Sequence, residues 1–294
     1  MPQENVIYID GKFYPKSEAK ISVYDHGFLY GDGVFEGIRV YDGYVFKLEE
    51  HLTRLYNSAK SITLRIPLSK DELRGVVLEA VRKNGFKDAY IRLVVSRGFG
   101  DLGLNPVKCP NPSVIVIADY IPPLYEGINA TAVVAATRRN DPDALDPQIK
   151  SLNYLNNILA KIEANRAGVD EAIMLNCHGT ICEGTSDNLF IIKKGVLITP
   201  PLSEGALDGI TRDTVLELAR ELKIPVEEKP MTVHELMSAD EAFLTGTAAE
   251  IGPLVEVNGQ KIGDGEPGPI WRMLAAAFKR LRKTGTPVYG GSGQ

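Results

Sequence analysis

The chain predicts an α+β fold with mixed layers. Strand and helix patterns alternate irregularly along it, which argues against a doubly wound parallel sheet. Turn dipeptides close strand runs at Asp10-Gly11, Asp42-Gly43 and Asn258-Gly259, the chemistry of antiparallel hairpins. Helical stretches carry their own start signals, and Ser69-Lys-Asp-Glu72 and Thr232-Val-His-Glu235 are capping boxes.

Taken in order, Val6 to Tyr14 reads as two short strands around Asp10-Gly11, and Val34 to Tyr41 with Tyr44 to Lys47 repeats the device around Asp42-Gly43. Between them Tyr24 to Gly33 carries three glycines, which suggests backbone bent close to something. Leu48, Leu52, Leu55, Ala59 and Ile62 recur at helical spacing, and the first capping box opens a helix running to about Arg82. Ala89 to Ser96 and Ser113 to Ala118 are strand-like runs separated by a Gly-, Pro- and Asn-rich loop, Gly98 to Pro112. The breaker Ile121-Pro-Pro-Leu-Tyr-Glu-Gly127 is the candidate interdomain linker. Beyond it follow a strand from Ala130 to Thr137, a helix from about Leu152 to Ala167, and strands at 171–175 and 188–192. A strong helix covers 211–223, a strand 241–245, and a C-terminal helix roughly Pro269 to Leu281. This divides the chain into an N-terminal α/β domain (1–120), the linker (121–127), a C-terminal domain (128–288) and a Gly/Ser-rich flexible tail (289–294).

Composition narrows the function. A length of 294 residues suffices for two domains with their own cores, and 44% hydrophobic with 24% charged residues matches a globular protein. The net charge of -5 is spread along the chain with no basic stripe, which excludes tracking a nucleic-acid backbone. No apolar run long enough to span a membrane occurs, and the first residues lack a signal peptide's basic start and apolar stretch, so a cytoplasmic protein is expected. The three cysteines, Cys109, Cys177 and Cys182, form no CxxC pair, so neither a metal site nor a disulfide frame is expected. Cys177 and His178 are adjacent, and neighbours in a strand or turn point apart, against a thiol nucleophile with its base.

Chemistry gathers around Lys150. It follows a Pro-rich polar approach and precedes a helix, and a lysine at such a junction is either solvated or, when desolvated, able to attack a carbonyl. Other stretches each supply a group that a phosphorylated pyridine needs. Arg54, on the helix face opposite the core-seeking leucines, is a surface arginine or a phosphate fork. Gly209, Ile210 and Thr211 start a helix whose free N–H groups either form an ordinary cap or receive an anion. Glu183, in a Gly/Ser turn, can hold a pyridine nitrogen protonated. The small-residue turn Thr245-Gly-Thr-Ala-Ala-Glu250 offers N–H groups and hydroxyls, and Tyr154 either packs the following helix or reaches a cofactor oxygen.

Together, His51-Leu-Thr-Arg-Leu55, Ile149-Lys-Ser-Leu-Asn-Tyr-Leu-Asn156, Glu183-Gly-Thr-Ser-Asp-Asn-Leu-Phe190, Leu207-Asp-Gly-Ile-Thr-Arg212 and Gly246-Thr-Ala-Ala-Glu-Ile251 resemble the class IV (fold type IV) pyridoxal-phosphate aminotransferases, most closely the branched-chain amino acid aminotransferases. The likeness spans nearly the whole chain in the family's order. It implies an N-terminal α/β domain and a larger C-terminal domain built on a barrel-like sheet and carrying the lysine, with pyridoxal 5′-phosphate between them. It also implies at least a homodimer. Lys150 would be the anchor and proton carrier, with Arg54, Ile210, Thr211 and Thr247 around the phosphate. Glu183 would meet the pyridine nitrogen, Tyr154 the phenolic oxygen, and Leu207 the ring.

The run Phe35-Glu-Gly-Ile-Arg39 resembles the branched-chain branch, in which Tyr30, Phe35 and Gly37 would line an apolar pocket. Arg92 would receive the distal carboxylate of glutamate, Thr247 and Ala248 the α-carboxylate, and Tyr125 would border the pocket. The implied reaction moves the amino group of leucine, isoleucine or valine to 2-oxoglutarate. D-amino-acid aminotransferases share the motifs but carry an arginine and a histidine in the loop where this chain has Phe99-Gly-Asp-Leu-Gly-Leu-Asn105. Aminodeoxychorismate lyases share the fold without the Phe-Glu-Gly-Ile-Arg run. A non-catalytic pyridoxal-phosphate-binding protein is the alternative outside the enzymes.

Overall fold

The computed structural model describes residues 4–289, so the tail expected at 289–294 lies, apart from Tyr289, outside the described residues. In chain order the elements are β1 (Val6–Ile9), β2 (Lys12–Pro15), α1 (His26–Tyr30), β3 (Gly33–Tyr41), β4 (Tyr44–Val45), α2 (Leu48–Ser61), α3 (Lys70–Lys83), β5 (Ala89–Ser96) and β6 (Ser113–Asp119). They continue with β7 (Ala130–Val134), α4 (Leu155–Ala167), β8 (Glu171–Leu175), β9 (Ile181–Glu183), β10 (Asn188–Lys193), β11 (Val196–Thr199), α5 (Ile210–Glu221) and β12 (Val226–Glu228). The chain ends with α6 (Val233–Met237), β13 (Glu241–Gly246), β14 (Glu250–Val257), β15 (Gln260–Lys261), α7 (Pro269–Leu281) and β16 (Thr286–Pro287). Among the described residues no helix is long and apolar enough to cross a membrane, and no three His, Cys, Asp or Glu side chains gather as a metal site would require.

Two compact units result. The first takes the chain up to Ile121, the short stretch Ile149–Asn153, and the chain from Arg282 onward; the second takes Pro122–Gln148 and Tyr154–Leu281. The break at Ile121/Pro122 falls inside the expected linker. Lys150, expected in the C-terminal domain, groups with the first unit, because its segment bonds to the sheet there. The Phe35 N–H donates to the Lys150 carbonyl at 3.0 Å, and the Leu152 N–H to the Gly33 carbonyl at 2.9 Å.

In the first unit a seven-stranded sheet runs β16-β4-β3-β5-β6-β1-β2, its paired strands antiparallel. Asp10 and Asp42 take positive φ (47° and 51°) and are followed by glycines at 91° and 83°, as a tight hairpin requires. Val34, Ile38 and Val40 of β3 and Ile91, Leu93 and Val95 of β5 face one side and meet Leu48, Leu52 and Leu55 of α2 and Leu73 and Val77 of α3. Each such side chain contributes roughly 1.5–3 kcal/mol on burial, so this layer fixes the register of β3 against α2. Both hydrogen bonds of the capping box between Ser69 and Glu72 form.

The second unit holds a nine-stranded sheet that curls into a half-barrel, in the order β12-β11-β10-β13-β14-β7-β8-β9 with β15 beside β14. Its core gathers Ile173, Leu175, Leu189, Ile191, Leu244 and Leu254. On the other face of β10 and β13 the rings of Phe190 and Phe243 stack at 5.1 Å. The register of β10 against β13 pairs Asn188 with Thr245, which puts these two polar residues on that same face at the end of the two strands.

Candidate active site

In the first unit the register of β3 sends Glu36, wholly buried, toward α2. Its Oε2 accepts from His51 Nδ1 at 2.7 Å and from Arg54 Nη2 at 2.8 Å, while Oε1 accepts from Arg54 Nε at 2.7 Å. The arginine therefore does not ride an open helix face, as its position opposite the leucines predicted; it is gripped bidentately by a buried carboxylate. Burial alone would raise the Glu36 pKa, but the Arg54 and His51 charges and the two partners' hydrogen bonds outweigh it and hold the group at about 2. Burial drives His51 below its ordinary value, with the neighbouring Glu36 charge pulling the other way.

The opposite face of the same strands carries Phe35, Gly37 and Arg39 of β3 beside Val94, Arg92 and Tyr90 of β5. The Arg92 guanidinium lies over the Phe35 ring, 3.5 Å from its centroid, and Lys150 Nζ stands 4.6 Å from the same centroid. Gly37 is required: a Cβ there would overlap the Tyr90 hydroxyl, which takes a hydrogen bond from Arg92. The backbone of Lys150 is fixed twice, its carbonyl by Phe35 and its N–H by Ser58 Oγ at 3.1 Å. Tyr30 closes α1, with its hydroxyl accepting from the Gly103 N–H at 2.9 Å.

In the second unit Glu183, 5% exposed, ends β9. Its Oε1 accepts from Arg139 Nε at 2.9 Å, and its Oε2 accepts from the Leu207 N–H at 3.0 Å and from Asn188 Nδ2 at 3.5 Å. Just after Leu207, α5 begins with Gly209 as its N-cap, and no side chain caps it. The Ile210 and Thr211 amides thus stand at the positive end of a 12-residue helix. Thr247 and Ala248 occupy the turn between β13 and β14, and the Ala248 carbonyl accepts from the Leu124 N–H at 2.9 Å. Tyr154 is the residue preceding α4, whose helix starts later than the pattern suggested.

Tyr125, expected to border the substrate pocket, turns its hydroxyl to two carboxylates. It is buried, its ring covers Gly252, and its hydroxyl donates to Asp187 Oδ2 at 3.1 Å and faces Glu171 Oε2 at 3.4 Å. A phenol has one proton to donate, so this hydroxyl is committed to the carboxylates. Burial and then the neighbouring Glu171 charge push Asp187 up to about 7, and burial raises the phenol's pKa as well.

A family model for amino-transferase class IV matches residues 33–257, a stretch that contains all of these groups except Tyr30. The chain belongs to that family. A protein of Methanocaldococcus jannaschii is 55% identical over 284 residues, covering 96% of this chain and 99% of the relative. The branched-chain aminotransferase of Thermoproteus uzoniensis, solved with norvaline, superposes with a TM-score of 0.92 at 41% identity, covering 98% of this chain and 100% of that one. A T.th. branched-chain amino acid aminotransferase, solved with N-(5′-phosphopyridoxyl)-L-glutamate and with 4-methylvaleric acid, gives a TM-score of 0.90 at 36% identity, covering 96% of this chain and 95% of that one.

Within this class IV aminotransferase the first unit gathers Lys150, Phe35, Gly37 and Arg92 on one face of the sheet, with Arg54 held by Glu36 on the helix side of that sheet. The second unit gathers Glu183, Leu207 and the start of α5. Sequence reasoning missed Glu36, Arg139, Asp187 and Glu171 as partners of site residues. Glu36 was signalled by being an acidic residue within a largely apolar strand run; the others had no local signal. The residues fit a phosphorylated pyridine. The uncapped start of α5 suits an anion, and the Thr245 hydroxyl is buried with no hydrogen-bond partner among the described residues. A Cβ on Gly209 would overlap Asn188 Oδ1, so the backbone approaches closely there. Gly209→Ala should therefore displace the start of α5, costing about 1–3 kcal/mol in stability and weakening cofactor binding. Thermal unfolding and a cofactor titration check this, and unchanged values in both would contradict it.

Proposed function

We propose that the protein uses pyridoxal 5′-phosphate to move the amino group of an L-branched-chain amino acid to 2-oxoglutarate, yielding the 2-oxo acid and L-glutamate. The observation that carries this reading is Lys150, fixed by its backbone on the edge of β3 and facing Phe35, the ring that Arg92 also covers. The ligands of the related structures support it, since these are norvaline, a glutamyl adduct of the phosphopyridoxyl group and 4-methylvaleric acid. The cofactor, when bound, supplies an electron sink for the substrate's α-carbon.

Lys150 anchors the cofactor through Nζ and carries the proton between the α-carbon and C4′. Arg54, the Ile210 and Thr211 amides beside Gly209, and Thr247 bind its phosphate. Glu183 holds the ring-nitrogen proton, Tyr154 bonds the phenolic oxygen, and Leu207 packs on the ring. Phe35, Gly37 and Tyr30 receive the aliphatic side chain, Arg92 the distal carboxylate of glutamate, and the turn amides of Thr247 and Ala248 the α-carboxylate.

The reading includes a cytoplasmic location and at least a homodimer. Leu155, Ile158, Leu159 and Ile162 form an exposed apolar stripe along α4, and Val23, Phe28, Leu102 and Leu104 are exposed as well, which supports a covering second copy. Light scattering on the purified protein tests this, and a monomer mass at micromolar concentration would remove the dimer from the proposal. The reaction is tested in halves. L-leucine and L-glutamate, each added alone to the loaded protein, should bleach the bound cofactor's visible band, and D-alanine should not. Bleaching by D-alanine alone would move the assignment to D-amino acids.

A further inference from the structure

We infer that Arg139 is the positioning residue that aims Glu183 and sets how firmly the proton between Glu183 and the cofactor's ring nitrogen is held. The inference rests on the reading of Glu183 as the ring nitrogen's partner. Both side chains are buried, at 8% and 6% exposure, and the Arg139 Nε–H donates to Glu183 Oε1 at 2.9 Å. The guanidinium is itself seated in a socket. Its Nη1 donates to Asn156 Oδ1 at 3.2 Å and to Asn157 Oδ1 at 3.3 Å. Those two amides are tied down in turn, Asn156 Nδ2 to the Arg138 carbonyl at 2.7 Å and Asn157 Nδ2 to the Thr185 carbonyl at 2.8 Å. One carboxylate oxygen is thus fixed by Arg139 and the other by Leu207 and Asn188, which leaves Glu183 a single orientation.

Stability alone is a poor reason for this arrangement, because the desolvation cost of a buried ion pair often exceeds its attraction and an uncharged pair would fill the same space. A permanent cation beside the carboxylate has a chemical effect that an amide lacks. Its positive charge stands close to the ring nitrogen's proton, so that nitrogen releases its proton at a lower pH than it would without Arg139. Arrangements that orient a liganding group from behind typically change affinity or activity on the order of 10–100-fold when broken.

The test compares Arg139→Gln, Arg139→Lys and Glu183→Gln, each loaded with pyridoxal phosphate labelled with ¹⁵N in the ring, and follows the nitrogen resonance against pH. Affinity of each stripped protein for the cofactor is measured separately. Arg139→Gln should raise the pH at which the resonance titrates by about one unit or more and weaken cofactor affinity roughly 10-fold. Arg139→Lys, which keeps the charge but not the fork, should titrate near the parent protein while still losing affinity. If Arg139→Gln titrates as the parent does while Glu183→Gln displaces the resonance, Arg139 has no such role and the reading of Glu183 survives. If Glu183→Gln leaves the resonance in place, the reading of Glu183 itself fails. Should Arg139→Gln not fold, Arg139→Lys decides, and parental affinity in that variant overturns the inference.

Discussion

Lys150→Ala is expected to lower amino transfer by about 10⁴-fold or more, because positioned proton transfer alone is worth up to that factor and the cofactor's anchor is lost with it. Arg92, over the same Phe35 ring, carries a guanidinium that has donors and no acceptor, so it cannot take the proton in its place. The substitution should leave the fold intact, since the Phe35 and Ser58 hydrogen bonds use only the backbone of residue 150. Steady-state assays with L-leucine and 2-oxoglutarate, alongside thermal unfolding, separate the two effects. Parental turnover in a folded Lys150→Ala protein would remove Lys150 from the chemistry and the proposed reaction with it.

Local chemistry made much of this fold readable in the chain itself. The hairpins at Asp10-Gly11, Asp42-Gly43 and Asn258-Gly259 and both capping boxes form as their residues predict, because each depends on neighbours within four positions. What was missed depends on distance or brevity. The helix α1 spans only five residues between an Asp25 cap and a left-handed Gly31, too short for a repeat to show. Strands β9 and β12 have three residues each, and β14 contains Gly252-Pro253, a pair that reads as a breaker. On α4 the leucines and isoleucines that spacing would bury are exposed, while Asn157, Ala160 and Ala164 face the protein. The candidate site residues stand out in the chain as motif members, but their partners do not. That Glu36 meets Arg54 follows from the register of β3 against α2, and that Arg139 meets Glu183 follows from folding a loop across 44 positions. No pattern in the one-dimensional chain encodes either pairing.

Glu36→Ala is expected to destabilise the protein by about 3–5 kcal/mol, the usual penalty for stripping the partner from a buried charge. Three donor hydrogens, one from His51 and two from Arg54, would then face a small apolar cavity instead of a carboxylate. Cofactor affinity should fall with stability, since Glu36 grips the Nε of the arginine proposed to meet the phosphate and so orients its fork. A pH dependence follows with a definite sign. The folded-state pKa of Glu36, about 2, lies below its ordinary value of 4.5, so the stabilisation is complete above pH 4.5 and is lost as pH falls toward 2. Its size is about 3 kcal/mol by linkage, undiminished by solvent because Glu36 is wholly buried. The depressed His51 adds loss of the same sign below its ordinary 6.5, since the unfolded chain takes up the proton first. Urea unfolding of the parent and of Glu36→Gln between pH 7 and pH 3 reads this directly. The parent should lose stability steeply below pH 4.5 and the variant, already weakened at pH 7, much less so; parallel curves would mean that Glu36 is not the buried anion that holds Arg54.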